Sequence, residues 1–503
     1  MPDCIVIGAG ISGLWAGLQL LRAGRSVAIL EARSRLGGRI RTASKADGLP
    51  CPVDLGASFV HGQLGNPLAT ILRDLRIELH HADDPGLMFE SNGKPLDEET
   101  SGQLAASVFT TLFDRSRAEA QTGATVPSYT RSLADYLLDR KRSPLYDGLE
   151  TEQLKRYATS MATSFDGWSG ASLQDVSFRA WGEEHDYEGG DALVRYGYGQ
   201  LIDVLKMAIQ ARGGEIHLNT QVTSVALSED EDSVTVSSRN ASSTTNASDL
   251  SAPFALVTVP LGVLKANRIR FEPTLPPRRL ASIDRLGFGL LNKVVMSFPR
   301  VWWPKQGSWT MLLRDCDPDG RHPLSTRTIM FQSYASITES PVLVMYLGAR
   351  AGEAIEQLSD EEAKQWAHGL LVDYLAPSVQ GEIPQPERVI VTRWQSDEHA
   401  LGSYTYTPVA TEAQLNKGED PATLLDYFEL SKPLWEGRLG MAGEHTSQQH
   451  QASVHGALLS GQREARRIHL ELAAAEDDLE SKQDAVDELM PLRARELAIK
   501  PRL

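Results

Sequence analysis

The sequence predicts an α/β fold in which a parallel sheet with helical crossovers is joined to a second, α+β domain whose sheet is mainly antiparallel. Three observations carry the prediction. Cys4 to Ile7 is an apolar run too short for a helix and ends at Gly8, as a buried parallel strand would. Gly8, Gly10 and Gly13 follow at G-x-G-x-x-G spacing, which lets a strand turn tightly into a helix. From about Ile269 to Arg393 the chain changes to alternating, aromatic-rich runs such as Lys293 to Phe298 and Val342 to Leu347, the pattern of antiparallel strands.

Each element of the first unit has a physical reason. Gly8 permits the turn, Gly10 lets a pyrophosphate approach the backbone, and Gly13 lets the helix pack close to the strand. Leu14, Leu18 and Leu21 sit at helical spacing, and the helix stops near Gly24. Amides around Ser12, at its N-terminus, face phosphates with the positive end of the helix dipole. A second strand, Ser26 to Leu30, ends in Glu31, a carboxylate placed to accept hydrogen bonds from ribose hydroxyls. Strand, glycines, helix, strand and acid in that order make a Rossmann-like dinucleotide cradle.

Further along, Asn66 to Trp181 reads mainly as helices and loops, including helices over Leu133 to Leu149 and Glu152 to Met161. A helix near Gly199 to Arg212 precedes short strands at Glu215 to Leu218, Val222 to Leu227 and Val234 to Ser238. Phe254 to Val259 is another buried strand, stopped by Pro260, and a helix opens near Val454 and runs through Ile468.

With 503 residues, 41% of them hydrophobic, the chain can bury a large core and divide into two or more domains. A formal charge of −16 argues against nucleic acid as the main partner. The three cysteines, Cys4, Cys51 and Cys316, form no C-x-x-C pair, so neither a disulfide framework nor a metal site is expected. No 18-residue apolar run occurs and the first strand starts almost at Met1, so neither a membrane span nor a secretory leader is expected. The sequons at Asn240 and Asn246 lie in a polar loop-like stretch and are expected to be unmodified.

Several motifs together resemble the flavin amine oxidase family. They are Glu31-Ala-x-x-Arg-x-Gly-Gly-Arg39, Gly56-Ala-Ser-Phe-Val-His-Gly62, Leu286-Gly-Phe-Gly-Leu-Leu-Asn-Lys293, Trp394 with Gly402-Ser-Tyr404, and Ala442-Gly-Glu-His-Thr-Ser447, and the likeness covers about residues 3 to 470. It implies a discontinuous FAD-binding domain from residues 1–65, 190–265 and 394–470, a substrate domain from 66–189 and 266–393, and a charged tail over 471–503. By the same resemblance, Arg39 meets the pyrophosphate, Arg33 and Gly38 in the same stretch are expected to bind the cofactor, and Gly56, Ala57 and Trp394 lie along it. The backbone of Val222 meets the adenine, Glu444 lies near the ribityl and pyrophosphate groups, and the amide of Val454, next to Ser453, lies near the flavin pyrimidine. With no cysteine after Cys316, FAD is expected to be held noncovalently.

The activity implied is oxidation of polyamines, acetylated or free, by hydride transfer to flavin, with imine hydrolysis to an aldehyde and a shorter amine, and reoxidation by O2 giving hydrogen peroxide. Lys293 is the family's lysine beside the flavin; by the residues alone it could also be a strand-edge lysine reaching solvent. His61 is placed to meet a substrate nitrogen, with a satisfied structural histidine as the bland alternative. Tyr404 corresponds to one wall of an aromatic cage, and Ser453 stands where the opposite wall is often aromatic, which leaves a roomier pocket. Other readings left open are oxidation of monoamines or other secondary amines, and a flavin-binding scaffold without amine chemistry. The ending Pro501-Arg502-Leu503 resembles a peroxisomal address, which implies an import receptor as partner and a peroxisomal location. A monomer or weak homodimer is expected.

Overall fold

The computed structural model describes residues 1–475 except 82–85, 123–127, 184, 186, 241–246, 305–306, 315–323 and 325–327. Cys316, Asn246 and the terminal Pro501-Arg502-Leu503 therefore lie outside the described residues. β1 (Cys4–Ile7), α1 (Ile11–Arg22) and β2 (Val27–Leu30) form the predicted βαβ unit, with β1 and β2 parallel and Cys4 opposite Val27. The sheet extends on both sides in the order Leu439–Met441, Phe254–Val257, β1, β2, Glu215–His217, with every pair parallel. The four residues of each of β1, β2 and Phe254–Val257 are all buried, which is why these strands read as unbroken apolar runs. Because the chain leaves β1 toward one side and returns on the other, the N-terminus of α1 stands at a topological switch point, where α/β sheets bind ligands.

The remaining sheets match the antiparallel expectation. A six-stranded sheet runs Arg388–Val391, Leu291–Ser297, Val342–Gly348, Ile329–Ser333, Trp309–Leu312, Leu87–Phe89, and all of its pairs but the last are antiparallel. The strand carrying Lys293 is thus interior to a sheet. A three-stranded sheet sets Phe59–Val60 against Ala192–Val194, which also pairs with Leu79–His81. Four strands around Thr220–Leu227 and Val234–Asn240 pack Val222, Val225, Val234 and Val236 against Ile5, Ile7 and Val257 of the parallel sheet.

Three helices differ from expectation, Glu152–Ser164 by one added turn beyond Met161. Leu133 to Leu149 is not one helix: an α-helix covers Leu133–Leu137 and a 3-10 turn covers Pro144–Tyr146. Pro144 occupies the first position of that turn, and Ser143 accepts a hydrogen bond from the Leu145 amide at 3.2 Å, a local start signal that outweighs the apolar periodicity. The last helix runs Val454–Ala475 and not only to Ile468, because Leu472 and the fully buried Ala473 continue its apolar stripe. This helix packs on α1: Trp15 Nε1 donates to Gln462 Oε1 at 2.6 Å, and the Ser12 and Ser460 hydroxyls lie 3.3 Å apart. Among the described residues no helix is long and apolar enough to cross a membrane.

A methyl group at Gly13 would lie 2.1 Å from the Gly8 carbonyl oxygen, so the α1 to β1 contact has no room for a side chain. Gly13→Ala is expected to lower stability by about 1–3 kcal/mol, read as a lower midpoint in urea unfolding; an unchanged midpoint would show that α1 can shift without cost.

Candidate active site

One cavity of about 910 Å³ runs from the end of β2 past the N-terminus of α1 to the six-stranded sheet. At its first end, Gly8 takes φ +107°, a conformation open to glycine and rarely to other residues. A Cβ at Gly10 would meet nothing within 4 Å, so the backbone there opens directly on the cavity. Gly10 caps α1 without a side-chain hydrogen bond, and the first turn carries no acidic residue, which leaves its amides as an anion site. Glu31 Oε2 accepts from the Ala9 amide at 2.8 Å and Oε1 from the Arg33 amide at 2.9 Å. The acid that faces the cavity therefore also holds the glycine turn. Gly38 lies against Gly10, and Val222 lines the same end, next to a bulge that breaks the strand register between Val222 and Ser224. Arg33 also lines the cavity and is held by a bidentate ion pair with Asp397, at 2.8 and 2.7 Å.

The middle of the cavity is organised by Glu444. Its Oε1 accepts from Arg39 Nη1 at 2.8 Å, and its Oε2 from Thr405 Oγ1 at 2.6 Å and the Ala452 amide at 3.0 Å. Burial favours the neutral acid, but the Arg39 guanidinium and the Thr405 hydroxyl outweigh it and hold the carboxyl below its ordinary 4.5. Arg39 also donates to the Ser403 carbonyl at 2.8 Å. The Ala452 bond holds that residue at φ +58°, and two residues later the last helix begins. Ser453 caps this helix: its Oγ accepts from the Gly456 amide at 2.9 Å and donates to the His450 carbonyl at 2.8 Å. Ser453 and Val454 thus bring a helix N-terminus to the cavity wall.

At the far end, Lys293 is only 2% exposed. Its Nζ donates to the carbonyls of Asp54 and Gly56 at 2.8 and 2.7 Å and to Ser58 Oγ at 2.7 Å. It lies 5.1 Å from the centre of the Tyr346 ring. Burial pulls the ammonium down toward neutrality and pushes the buried Asp54 carboxyl up. The solvent-reaching alternative does not apply: this lysine clamps the Asp54 to Ser58 turn, where Gly56 and Ala57 sit and where the Ala57 amide donates to the Arg39 carbonyl at 3.3 Å. Trp394 closes the other side, with Nε1 donating to the Leu55 carbonyl at 3.2 Å.

His61 and Tyr404 line the same end. His61 Nδ1 donates to Asp191 Oδ2 at 2.7 Å, and its ring meets Trp168 edge-on at 5.0 Å. The Tyr404 hydroxyl donates to the Gly167 carbonyl, and burial pushes its ionisation well up. Beyond them the wall is apolar and aromatic, with Phe109, Phe165, Trp168 and Trp181. Sequence reasoning missed Asp191, Asp54 and Ser58. Asp191 had one available signal, its place directly before a strand in the Gly-Gly-Asp-Ala-Leu-Val segment. Asp54 and Ser58 stand inside the quoted Val53 to Gly62 segment, but nothing local says that a lysine 235 positions later bonds there. Among the described residues no cluster of His, Cys, Asp or Glu could hold a metal ion.

The family described as flavin containing amine oxidoreductase matches residues 11–469. Polyamine oxidase 5 of Oryza sativa subsp. japonica is 31% identical over 92% of this chain and 86% of its own length. Lysine-specific histone demethylase 1 homolog 1 of Arabidopsis thaliana is 31% identical over 93% of this chain, which spans about half, 52%, of that relative. Among solved structures, cyclohexylamine oxidase from Brevibacterium oxydans IH-35A superposes with a TM-score of 0.65, at 22% identity over 94% of this chain and 99% of that one.

Two outcomes follow from the cavity's geometry. Gly10→Ala is expected to leave the unfolding midpoint of cofactor-free protein unchanged and to reduce the flavin retained on purification, measured from the visible absorbance; full retention would show that no phosphate approaches Gly10. Glu444→Gln removes the partner of Arg39 in a pair whose side chains are 4% and 22% exposed, and is expected to cost about 3 kcal/mol at pH 7. Because the Glu444 pKa is depressed by folding, its contribution is present above 4.5 and lost as pH falls below that. The gap between wild type and Glu444→Gln in urea unfolding should therefore narrow in acid; a pH-independent gap would mean that the charge is irrelevant.

Proposed function

Since the chain belongs to the flavin containing amine oxidoreductase family, we propose that it is an FAD-dependent polyamine oxidase that holds its cofactor noncovalently. The observation that carries the reading is the single cavity that joins Glu31 and Gly10 at one end to Lys293, His61 and Tyr404 at the other. The uncapped start of α1 and Arg39 would take the pyrophosphate, Glu31 a ribose, the Val222 strand the adenine, and the amide end of the Val454 helix the flavin ring. Bound there, a flavin supplies two-electron oxidation of the carbon next to an amine nitrogen, with O2 as final acceptor and hydrogen peroxide as by-product.

The protein's own share is orientation and exclusion. Lys293, fixed by three acceptors, holds an ammonium at the junction of the two halves of the cavity. His61 offers a ring nitrogen to the substrate amine, and Tyr404 with Trp168 walls it in. The oxidised amine, an imine, then takes water to give an aldehyde and a shorter amine. Relatives named polyamine oxidases support the choice of polyamine. The aromatic far wall supports a second reading, oxidation of amines with an apolar end. The terminal Pro501-Arg502-Leu503 would direct a peroxide-producing enzyme to peroxisomes through an import receptor.

Anaerobic mixing with acetylated spermine, spermine, spermidine and benzylamine tests the reading by flavin bleaching. Fast bleaching by a polyamine is expected, with Lys293→Met slower on the order of 10²-fold at unchanged flavin content. Bleaching by benzylamine alone would favour the second reading, and no bleaching at all would leave a flavin scaffold.

A further inference from the structure

The antiparallel ladder between Phe59–Val60 and Ala192–Val194 pairs Val60 with Ala192, so the next facing pair is His61 and Asp191. Their side chains meet at the cavity: Nδ1 of His61 lies 2.7 Å from Asp191 Oδ2, and Oδ1 of the same carboxylate accepts from the Gly62 amide at 3.0 Å. Asn66 fixes the turn by donating to the His61 and Gly62 carbonyls at 3.0 and 2.9 Å. A carboxylate with both oxygens committed in this way can only accept, so it holds the imidazole with its proton on Nδ1. Nε2 is then the ring nitrogen that carries the lone pair.

Among the described residues, the titratable groups near the pair include Tyr187, Tyr198, His450 and His455. His450 and His455 stand at the start of the last helix, and Tyr187 stacks on His450 at 4.7 Å and meets His455 edge-on at 5.3 Å. His455 is pulled down to about 3 by burial, with His450 and His61 adding to it, so it stays neutral and leaves the Asp191 charge to His61. Asp191 itself stays ionised, because the His61 and Gly62 hydrogen bonds outweigh the burial that would neutralise it.

We propose that Asp191 and His61 form a dyad in which Asp191 is the positioning residue and His61 the base that takes a proton from the substrate ammonium. The inference rests on the amine-oxidising reading above. An aliphatic amine arrives protonated, and its carbon cannot be oxidised until the nitrogen regains its electron pair. In the step, an N–H bond of the ammonium breaks, its electron pair stays on the substrate nitrogen, and an Nε2–H bond forms on His61. The resulting imidazolium is stabilised by the Asp191 carboxylate, and the proton afterwards leaves to water.

Two variants separate tautomer control from mere support. In Asp191→Asn the Gly62 amide claims the side-chain oxygen, so the amide nitrogen turns to Nδ1 and forces the proton to Nε2. Asp191→Ala removes both hydrogen bonds but leaves either tautomer open. Long-range proton–nitrogen NMR of the flavin-loaded, nitrogen-15-labelled protein reads the tautomer directly, with the His61 signals identified by their loss in His61→Gln. Expected is the Nδ1–H form in wild type and the Nε2–H form in Asp191→Asn, with kcat/KM for the best amine falling on the order of 10²-fold in Asp191→Asn and less in Asp191→Ala. An Nε2–H tautomer in wild type, or a larger loss with alanine than with asparagine, would overturn the dyad. If no amine bleaches the flavin, the base role falls with the functional reading, and the NMR result still decides separately whether Asp191 sets the tautomer.

Discussion

Everything near the cavity depends on one buried charge. Glu444 is 3% exposed, and a carboxylate so far from water is stable only with compensating donors. Its donors come from three other places in the chain: Arg39 after the glycine loop, Thr405 in the strand beside Tyr404, and Ala452 before the last helix. The same bonds therefore fix the cavity's basic side chain, one of its aromatic walls and a helix N-terminus. Discarding the charge would loosen all three together.

Lys293 shows the complementary solution for a cation. Instead of a carboxylate, it uses two carbonyls and one hydroxyl of a single turn. That choice keeps the Asp54 carboxylate behind the turn, where Thr42 and the Tyr198 amide hold it. The lysine is bound without being neutralised by direct contact: burial pulls its ionisation down, while three acceptors take all three ammonium protons.

What could be read from the sequence was what is local. β1, α1 and β2 are contiguous, and each glycine's role follows from its spacing, so the cradle was legible to within a residue or two. The antiparallel domain was legible from alternation around Lys293 and Val342. The stretch from Leu133 to Leu149 was misread because Ser143 and Pro144 start a new turn that periodicity does not register. The dyad was illegible for another reason: His61 and Asp191 are 130 positions apart, and only the pairing of two very short strands brings them together. The partners of Lys293 were hidden more deeply still, since two of them are backbone carbonyls, which every residue possesses.

The contact between α1 and the last helix has a consequence for how the chain comes into being. At Gly461 a side chain would strike the Ser12 carbonyl, 2.3 Å away, so the first helix of the cradle finds this permanent neighbour only when Val454–Ala475 arrives. Synthesis at about 5–20 residues per second puts an interval on the order of half a minute or more between the emergence of these two surfaces. During that interval the buried face of α1, with Trp15 and Leu18, has no native cover on that side. The nascent chain must keep this apolar stripe out of other contacts, and a complete nucleotide cradle can exist only after the helix carrying Gly461 has been made.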